Sequence, residues 1–305
     1  MNPIDQINLY GLNNFFNDLK FLYDNKKLPN KILLSGQKGS GKFTLSLHLI
    51  NYILSKNEDY PYDTENFKIN ENNKSYKLIK NQSSPNLYLI DVINEKKVIE
   101  INQIRELISF CNKSSLNDKP RFILIDNLEL MNLNSNNALL RTLEEPNDNI
   151  YFILINNSRQ ILPTIKSRCL DFRIYLSQKK YFEIFNLIIK KDINNLFNNN
   201  LISHYFSTGD LVNLYNFSIE NNIDLLNKNL EEFLLEIIDK NYYKKDILDI
   251  SLIYSFIQMY YLEKTKINKN YEIYSKFIKS IKETKSFNLD LESFFIQFRQ
   301  QLAND

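Results

Sequence analysis

The sequence predicts an α/β domain with a parallel sheet, followed by a small helical domain and an all-helical C-terminal domain. Short, continuously apolar runs alternate with amphipathic segments, a pattern typical of parallel strands that are buried on both faces and joined by helices. A glycine loop directly follows the first apolar run, and the strand signal vanishes after about residue 175. These observations predict three domains, at residues 1–175, 176–225 and 226–305.

The elements of the first domain follow from periodicity. Apolar runs predict strands at 31–35, 87–91, 121–126 and 151–155, and a fifth, short strand is predicted at 170–175. Helical spacing of apolar residues predicts helices at 12–24, 42–54, 101–111 and 135–145, the last ended by Pro146. Residues 56–84 are polar with no lasting period, which predicts a surface excursion.

Only helical patterns follow residue 175. A helix is predicted at 179–190, and two short helices are predicted within 201–219, around a Thr-Gly-Asp sequence. Longer helices are predicted at 230–238, 247–262, 271–281 and 291–302.

Composition narrows the class of protein. The formal net charge of +2 is too balanced to predict nucleic-acid binding by itself. The two cysteines, Cys111 and Cys169, argue against a disulfide framework and exclude a four-cysteine zinc site. Because no apolar run approaches the roughly 20 residues of a membrane span, and no signal-peptide pattern is present, we expect a cytoplasmic protein without membrane contact.

The glycine loop reads Gly-Gln-Lys-Gly-Ser-Gly-Lys-Phe-Thr over residues 36–44 and fits a P-loop up to its last position. Gly36, Gly39 and Gly41 allow backbone N–H groups to form an anion nest, and the N-terminus of the following helix adds positive potential. Lys42 would neutralise the β- and γ-phosphates of a nucleotide.

Two positions that ATP hydrolysis requires are altered. The residue after the P-loop lysine should hold Mg²⁺ through a hydroxyl, but it is Phe43, and Thr44 lies about 100° further around the helix. Asp126 ends an apolar strand, where P-loop ATPases hold Mg²⁺. The next residue, Asn127, carries an amide that cannot accept a proton. Three alternatives remain: a glycine turn that binds nothing, a phosphate cradle with weak ATP or ADP binding, and efficient hydrolysis. The residues favour the second.

Two further segments resemble sequence motifs of a known protein family. Residues 137–146 read Asn-Ala-Leu-Leu-Arg-Thr-Leu-Glu-Glu-Pro, and residues 162–169 read Leu-Pro-Thr-Ile-Lys-Ser-Arg-Cys. Together with the P-loop in register, they resemble the bacterial replicative clamp-loader ATPases of the AAA+ class. The resemblance implies an AAA+ P-loop domain, a helical lid domain and a C-terminal collar domain that serves oligomerisation.

Within that family the chain is most similar to the delta-prime type of subunit. The gamma/tau motor subunits carry an Asp-Glu pair where this chain has Asp126 and Asn127, and a Ser or Thr where it has Phe43. Their lid carries a sensor 2 arginine, and the matching position here is Val212. At Phe43, Asn127 and Val212, this chain therefore lacks the residue that the motor subunits carry. The three differences indicate the non-hydrolysing type of subunit. The family often carries a four-cysteine zinc module, but residues 56–84 contain no cysteine, so zinc is not expected.

The resemblance implies a role for the serine-arginine-cysteine box of Ser167, Arg168 and Cys169. Arg168 would project into the ATP site of an adjacent motor subunit and stabilise the charge on the transferring phosphoryl group. The alternative is a surface or intra-domain ion pair. Cys169 is predicted to be a buried small hydrophobe, since no base partner for a catalytic thiol is evident. Either Asn156 or Asn157 occupies the position of the family's polar sensor 1 residue.

The implied function is that of a non-hydrolysing subunit of the DNA polymerase III holoenzyme. It would act with gamma/tau and delta subunits in ATP-dependent loading of a sliding clamp, and would meet primed DNA through the assembled complex. The alternatives are an active gamma/tau-like ATPase and an AAA+ adaptor outside replication.

Overall fold

A computed structural model of the chain describes residues 3–92, 98–144, 149–157, 161–202, 206–244, 248–268, 272, 275–281 and 291–304. The chain divides into two compact units, Met1–Ile184 and Phe185–Asp305. The first contains the whole predicted α/β domain. The division of the remainder into a lid and a collar stays a prediction.

A five-stranded sheet forms the centre of the first unit, and all of its strand pairs are parallel. The strands are β1 (Lys31–Ser35), β2 (Leu87–Ile90), β3 (Arg121–Ile125), β4 (Ile150–Asn156) and β5 (Leu170–Arg173). Their order is β2-β3-β4-β1-β5, so β3, β4 and β1 are neighbours. The predicted parallel α/β fold is confirmed. Because parallel strands end at the same edge, the segments that follow β1, β3 and β4 are brought together.

Seven α-helices occur in the described part of the chain up to Ile189. They are α1 (Asn13–Asp24), α2 (Lys42–Ser55), α3 (Lys74–Lys80), α4 (Ile101–Asn112), α5 (Leu133–Glu144), α6 (Pro163–Lys166) and α7 (Gln178–Ile189). Alternate strand residues face two separate apolar clusters: Ile32 and Leu34 of β1 lie in one, and Leu33 lies in the other. Both faces of the three central strands, β3, β4 and β1, are therefore buried. The predicted stop of α5 at Pro146 lies outside the described residues.

The prediction for residues 56–84 is wrong. This segment contains α3, and its Tyr62, Ile69 and Tyr76 side chains are buried in the same apolar cluster as α1 and α2. The Tyr62 ring stacks on Phe16 with centroids 5.1 Å apart. The Asn73 side chain caps α3 by accepting a hydrogen bond from the Tyr76 backbone N–H at 2.8 Å. Isolated aromatic residues and side-chain hydrogen bonds hold the segment, without any periodic apolar pattern.

The second unit is helical, as predicted. Its long helices are α8 (Thr208–Glu220), α9 (Leu230–Asp239), α10 (Ile250–Asn268) and α11 (Leu291–Asn304), and residues 275–281 are also helical. The predicted pair of short helices is corrected to a 3-10 turn at Asn199–Leu201 and the single helix α8, which a capping box of Ser207 and Asp210 begins. The first residues of the helix predicted at 271–281 lie partly outside the described residues. Among the described helices, none has the length and apolar character needed to cross a bilayer.

Candidate functional site

The glycine loop connects β1 to α2 at the carboxyl edge of the sheet. Gly41 has a φ of 87°, in the left-handed region, and a Cβ there would lie 2.9 Å from Leu12 Cδ1. A Cβ on Gly36, whose φ is 150°, would lie 2.3 Å from the Ile174 carbonyl oxygen. The predicted glycines Gly36, Gly39 and Gly41 thus occupy one loop, and the first and last leave no room for a side chain.

Lys42 is the first residue of α2, and its side chain is buried beneath the loop. Its Nζ donates hydrogen bonds to the carbonyl oxygens of Gly36 at 2.9 Å and Gln37 at 2.6 Å. Burial lowers the pKa of Lys42 to about 8, and the nearby carboxylates of Asp126 and Glu129 oppose that decrease. The ammonium group therefore lies within the loop and within the electrostatic range of the strand β3 carboxylate.

The two residues that follow Lys42 are both half-buried. Phe43 packs against the apolar cluster that contains α1 and one face of the sheet. Thr44 is the next residue along α2. The helix therefore presents an aromatic ring, and no hydroxyl, at the position directly after the P-loop lysine.

Hydrogen bonds join the groups that follow β2, β3 and β4. Asn127 has a left-handed backbone (φ 51°), and its Nδ2 donates to Asp91 Oδ1 at 2.7 Å. Asn157 Nδ2 donates both to Asp126 Oδ1 and to Asn127 Oδ1, each at 3.0 Å. The Asn127 backbone N–H donates to Asp126 Oδ1 at 2.8 Å. We call Asp91, Asp126, Asn127 and Asn157 the amide–carboxylate network.

The network determines what this corner of the site can do chemically. Burial raises the pKa of Asp126, and the hydrogen bonds from Asn127 and Asn157 oppose that increase. The Asn127 amide donates at one end and accepts at the other, so both of its polar atoms are engaged. An amide has no basic lone pair at neutral pH, so Asn127 cannot activate water.

Arg168 follows α6 and is exposed at the surface of the first unit. Its Nη1 donates to the Thr164 carbonyl oxygen at 2.8 Å, and its Nη2 lies 2.5 Å from Glu144 Oε1. Glu144 is the last residue of α5. The intra-domain ion pair that the sequence left open is therefore present, and the finger role of Arg168 stays a prediction.

The family of the chain is shown by comparison of sequences. The family described as "DNA polymerase III, delta subunit" matches residues 11–177, more than half of the chain. The chain belongs to this family. The predicted recognition of a clamp-loader AAA+ subunit is confirmed.

Relatives of this family member include more than one kind of DNA polymerase III subunit. A subunit gamma of Buchnera aphidicola subsp. Schizaphis graminum is 38% identical over 154 residues, which are 48% of this chain and 41% of that protein. A subunit delta' of Pseudomonas aeruginosa is 33% identical over 99 residues, 32% of this chain and 30% of that protein. The chain thus spans less than half of each.

One solved structure, a DNA polymerase III gamma subunit-related protein from Thermotoga maritima, is similar to the chain with a TM-score of 0.46 and 18% identity. The alignment covers 93% of this chain and 99% of that one.

The structure of this DNA polymerase III family member distinguishes the two asparagines that follow the fourth strand. Asn156 is the last residue of β4, is buried and pairs in register with Ser35 of β1. Asn157 donates to Asp126, so its amide lies beside the carboxylate that follows β3, and its match to the family's sensor 1 position stays a prediction. Sequence reasoning missed Asp91, although it follows β2 directly, and a residue after a strand adjacent to β3 is expected at the same edge.

The remaining predicted residues are distributed over both units. Ser167 Oγ donates to the Thr164 carbonyl oxygen at 3.1 Å. Cys169 is half-buried against the second apolar cluster, and burial raises the pKa of its thiol to about 11. Val212 is buried on α8 in the second unit. Within the described residues, no group of three or more His, Cys, Asp or Glu side chains is arranged to hold a metal ion.

Proposed function

We propose that this chain is a non-hydrolysing, delta-prime-like subunit of the bacterial DNA polymerase III clamp loader. It supplies Arg168 in trans to a neighbouring motor subunit during ATP-dependent loading of a sliding clamp onto primed DNA. The observation that carries the proposal is Asn127, whose amide stands where motor subunits have a glutamate and is bonded to Asp91 and Asn157.

The chain's own nucleotide site supports binding better than turnover. The loop glycines and Lys42 retain the shape and charge of a phosphate cradle. Asp126 offers one carboxylate for Mg²⁺, but Phe43 supplies no hydroxyl and Asn127 supplies no base. We therefore propose weak ATP or ADP binding without efficient hydrolysis, and no zinc.

Arg168 has the properties that a trans-acting group requires. It lies at the surface, with 35% of its side chain exposed. A guanidinium stays charged at all physiological pH values and presents several N–H donors in a fixed plane, which suits it to phosphate oxygens. The proposed partners are gamma/tau and delta subunits, with the sliding clamp and primed DNA met through the assembled complex.

The test is ATP hydrolysis by the purified chain, alone and then assembled with gamma/tau-type and delta subunits, a sliding clamp and primed DNA. We expect no turnover alone and clear stimulation in the complex. Arg168→Ala should assemble normally but lower the stimulated rate by about 10-fold or more, since fingers contribute up to about 10³–10⁵. Arg105→Ala, which removes another exposed arginine from α4, is the matched control and should leave the rate unchanged.

One other function has a specific observation in its favour. The intact glycine loop with Lys42, and the 38% identical gamma relative, are also compatible with a gamma/tau-like motor. Substantial turnover by the isolated chain, abolished by Lys42→Ala, would establish that motor and exclude the proposed role. Failure to assemble with clamp-loader subunits would instead favour an adaptor outside replication.

A further inference from the structure

We infer that Glu144 is a positioning residue for Arg168: it orients the guanidinium toward the partner's nucleotide before the subunits meet. This inference rests on the proposed function. It adds to that function a specific residue outside the serine-arginine-cysteine box, and it concerns how the arginine is held, not which subunit hydrolyses ATP.

The guanidinium of Arg168 is tethered at two points. Glu144 Oε1 lies 2.5 Å from Nη2, and the Thr164 carbonyl oxygen accepts from Nη1 at 2.8 Å. The two tethers come from different elements, since Glu144 ends α5 and Thr164 lies in α6. Two separate contacts fix the orientation of a planar group, whereas one contact would leave it free to rotate.

The tethers leave donors for a ligand. A guanidinium carries five N–H donors, and the two contacts with described residues use one on each terminal nitrogen. A phosphate oxygen approaching from solvent can therefore bind the same group while Glu144 still holds it. An arginine already held in this orientation loses less rotamer freedom when the partner's nucleotide arrives.

The pair is exposed, with 35% of the Arg168 side chain and 55% of the Glu144 side chain accessible. Exposed ion pairs contribute little to folding stability. Glu144 can therefore be replaced without unfolding the subunit, and the effect of its loss appears in the reaction that Arg168 serves. This contact joins the two sequence segments that carry the resemblance, because Glu144 lies in residues 137–146 and Arg168 lies in residues 162–169.

The experiment measures stimulated ATPase of the reconstituted complex with four forms of this chain: Glu144→Ala, Glu144→Gln, Arg168→Ala and the Glu144→Ala/Arg168→Ala double variant. Glu144→Ala should lower kcat by roughly twofold to fivefold, the range expected for one exposed charge pair. The KM for ATP and the affinity of assembly should not change. Glu144→Gln should retain most of the rate, because its amide oxygen accepts the same hydrogen bond.

The decisive measurement is the double variant. If Glu144 acts only through Arg168, then Glu144→Ala has no further effect once Arg168 is alanine. Asp5→Ala, which removes an exposed pair with Lys80 at 2.9 Å, is the control for loss of a surface ion pair and should leave kcat unchanged.

The outcomes separate the inference from the function on which it rests. An effective Arg168→Ala with an ineffective Glu144→Ala would overturn the positioning role alone. A rise in rate with Glu144→Ala would mean that the glutamate holds the arginine back, and equal losses in both backgrounds would mean that it acts elsewhere. An ineffective Arg168→Ala would remove the finger role and the positioning role together.

Discussion

Acidification should destabilise the first unit through one buried histidine. His48 lies in α2 and is fully buried. Its Nε2 lies 3.0 Å from the Gln6 carbonyl oxygen, which can only accept, so Nε2 carries the proton. Its Nδ1 then accepts from the Tyr62 hydroxyl at 2.8 Å. The folded state therefore uses a neutral ring of one tautomer.

The size of the effect follows from linkage. Burial lowers the pKa of His48 from 6.5 to about 4. In the unfolded chain the ring takes up a proton below its ordinary pKa, while the folded chain excludes that proton until the pH approaches 4. The contribution of the neutral ring to folding stability is therefore fully present above pH 6.5, and it is lost as the pH falls from 6.5 toward 4. The full loss is about 3 kcal/mol, and most of it is reached at pH 4.5.

The assay is urea denaturation of the chain and of His48→Gln at pH 7 and pH 4.5, followed by circular dichroism. Glutamine can donate and accept hydrogen bonds but does not titrate in this pH range. The variant therefore keeps the acid-dependent stability changes of all other groups and lacks only that of His48. We expect the native chain to lose about 2–3 kcal/mol more unfolding free energy than the variant. An equal loss in both would refute the claim that His48 is held neutral in the folded state.

Two further predictions concern the backbone conformation at two glycines and the reactivity of the Cys169 thiol. Gly41→Ala should lower the unfolding free energy by about 1–2 kcal/mol because φ is 87° and the new Cβ meets Leu12. Gly209→Ala, in the first turn of α8, should raise it by about 0.5–1 kcal/mol; denaturation curves that shift the same way in both would contradict this reasoning. Cys169 should react with iodoacetamide at pH 8 about 100-fold more slowly than an ordinary thiol, because its pKa is about 11. Peptide mass mapping measures that rate, and a rate equal to that of the unfolded chain would contradict it.

The strands could be predicted from sequence because of how this sheet is buried. Ile123 and Leu124 are adjacent in β3 and face opposite clusters, yet both are fully buried. Burial on both faces produces an uninterrupted apolar run, which is visible without any knowledge of tertiary structure. The predicted and observed bounds of the five strands differ by at most two residues at either end.

The segment at 56–84 could not be predicted in this way. Its contributions to the core, such as Tyr62 and Ile69, are separated by polar residues at irregular intervals. Polar side chains hold the segment in place: the hydroxyl of Ser55, at the end of α2, accepts from the Tyr62 backbone N–H at 3.0 Å, and Asn73 donates to the Tyr60 carbonyl oxygen at 3.0 Å. Such bonds depend on tertiary position, which hydropathy does not record.

Most residues of the candidate site could be predicted from the sequence, but Asp91 and the hydrogen bonds among the residues could not. The P-loop and the strand that ends at Asp126 are local patterns, and the structure brings them together. The bonds from Asn157 to Asp126 and Asn127 require knowledge that β3 and β4 are neighbours. The sequence alone did not show which of Asn156 and Asn157 contacts Asp126.

The amide–carboxylate network also constrains which substitutions this site can accept. Asn127 Nδ2 donates to Asp91 at 2.7 Å, so a glutamate at position 127 would replace a donor with a third carboxylate beside Asp91 and Asp126. Like charges at that separation repel, and Asn157 could bond to only part of the added charge. A glutamate at position 127 alone should therefore destabilise this corner of the sheet unless Asp91 is changed as well. The effects of substitutions at these four contacting positions should not be additive.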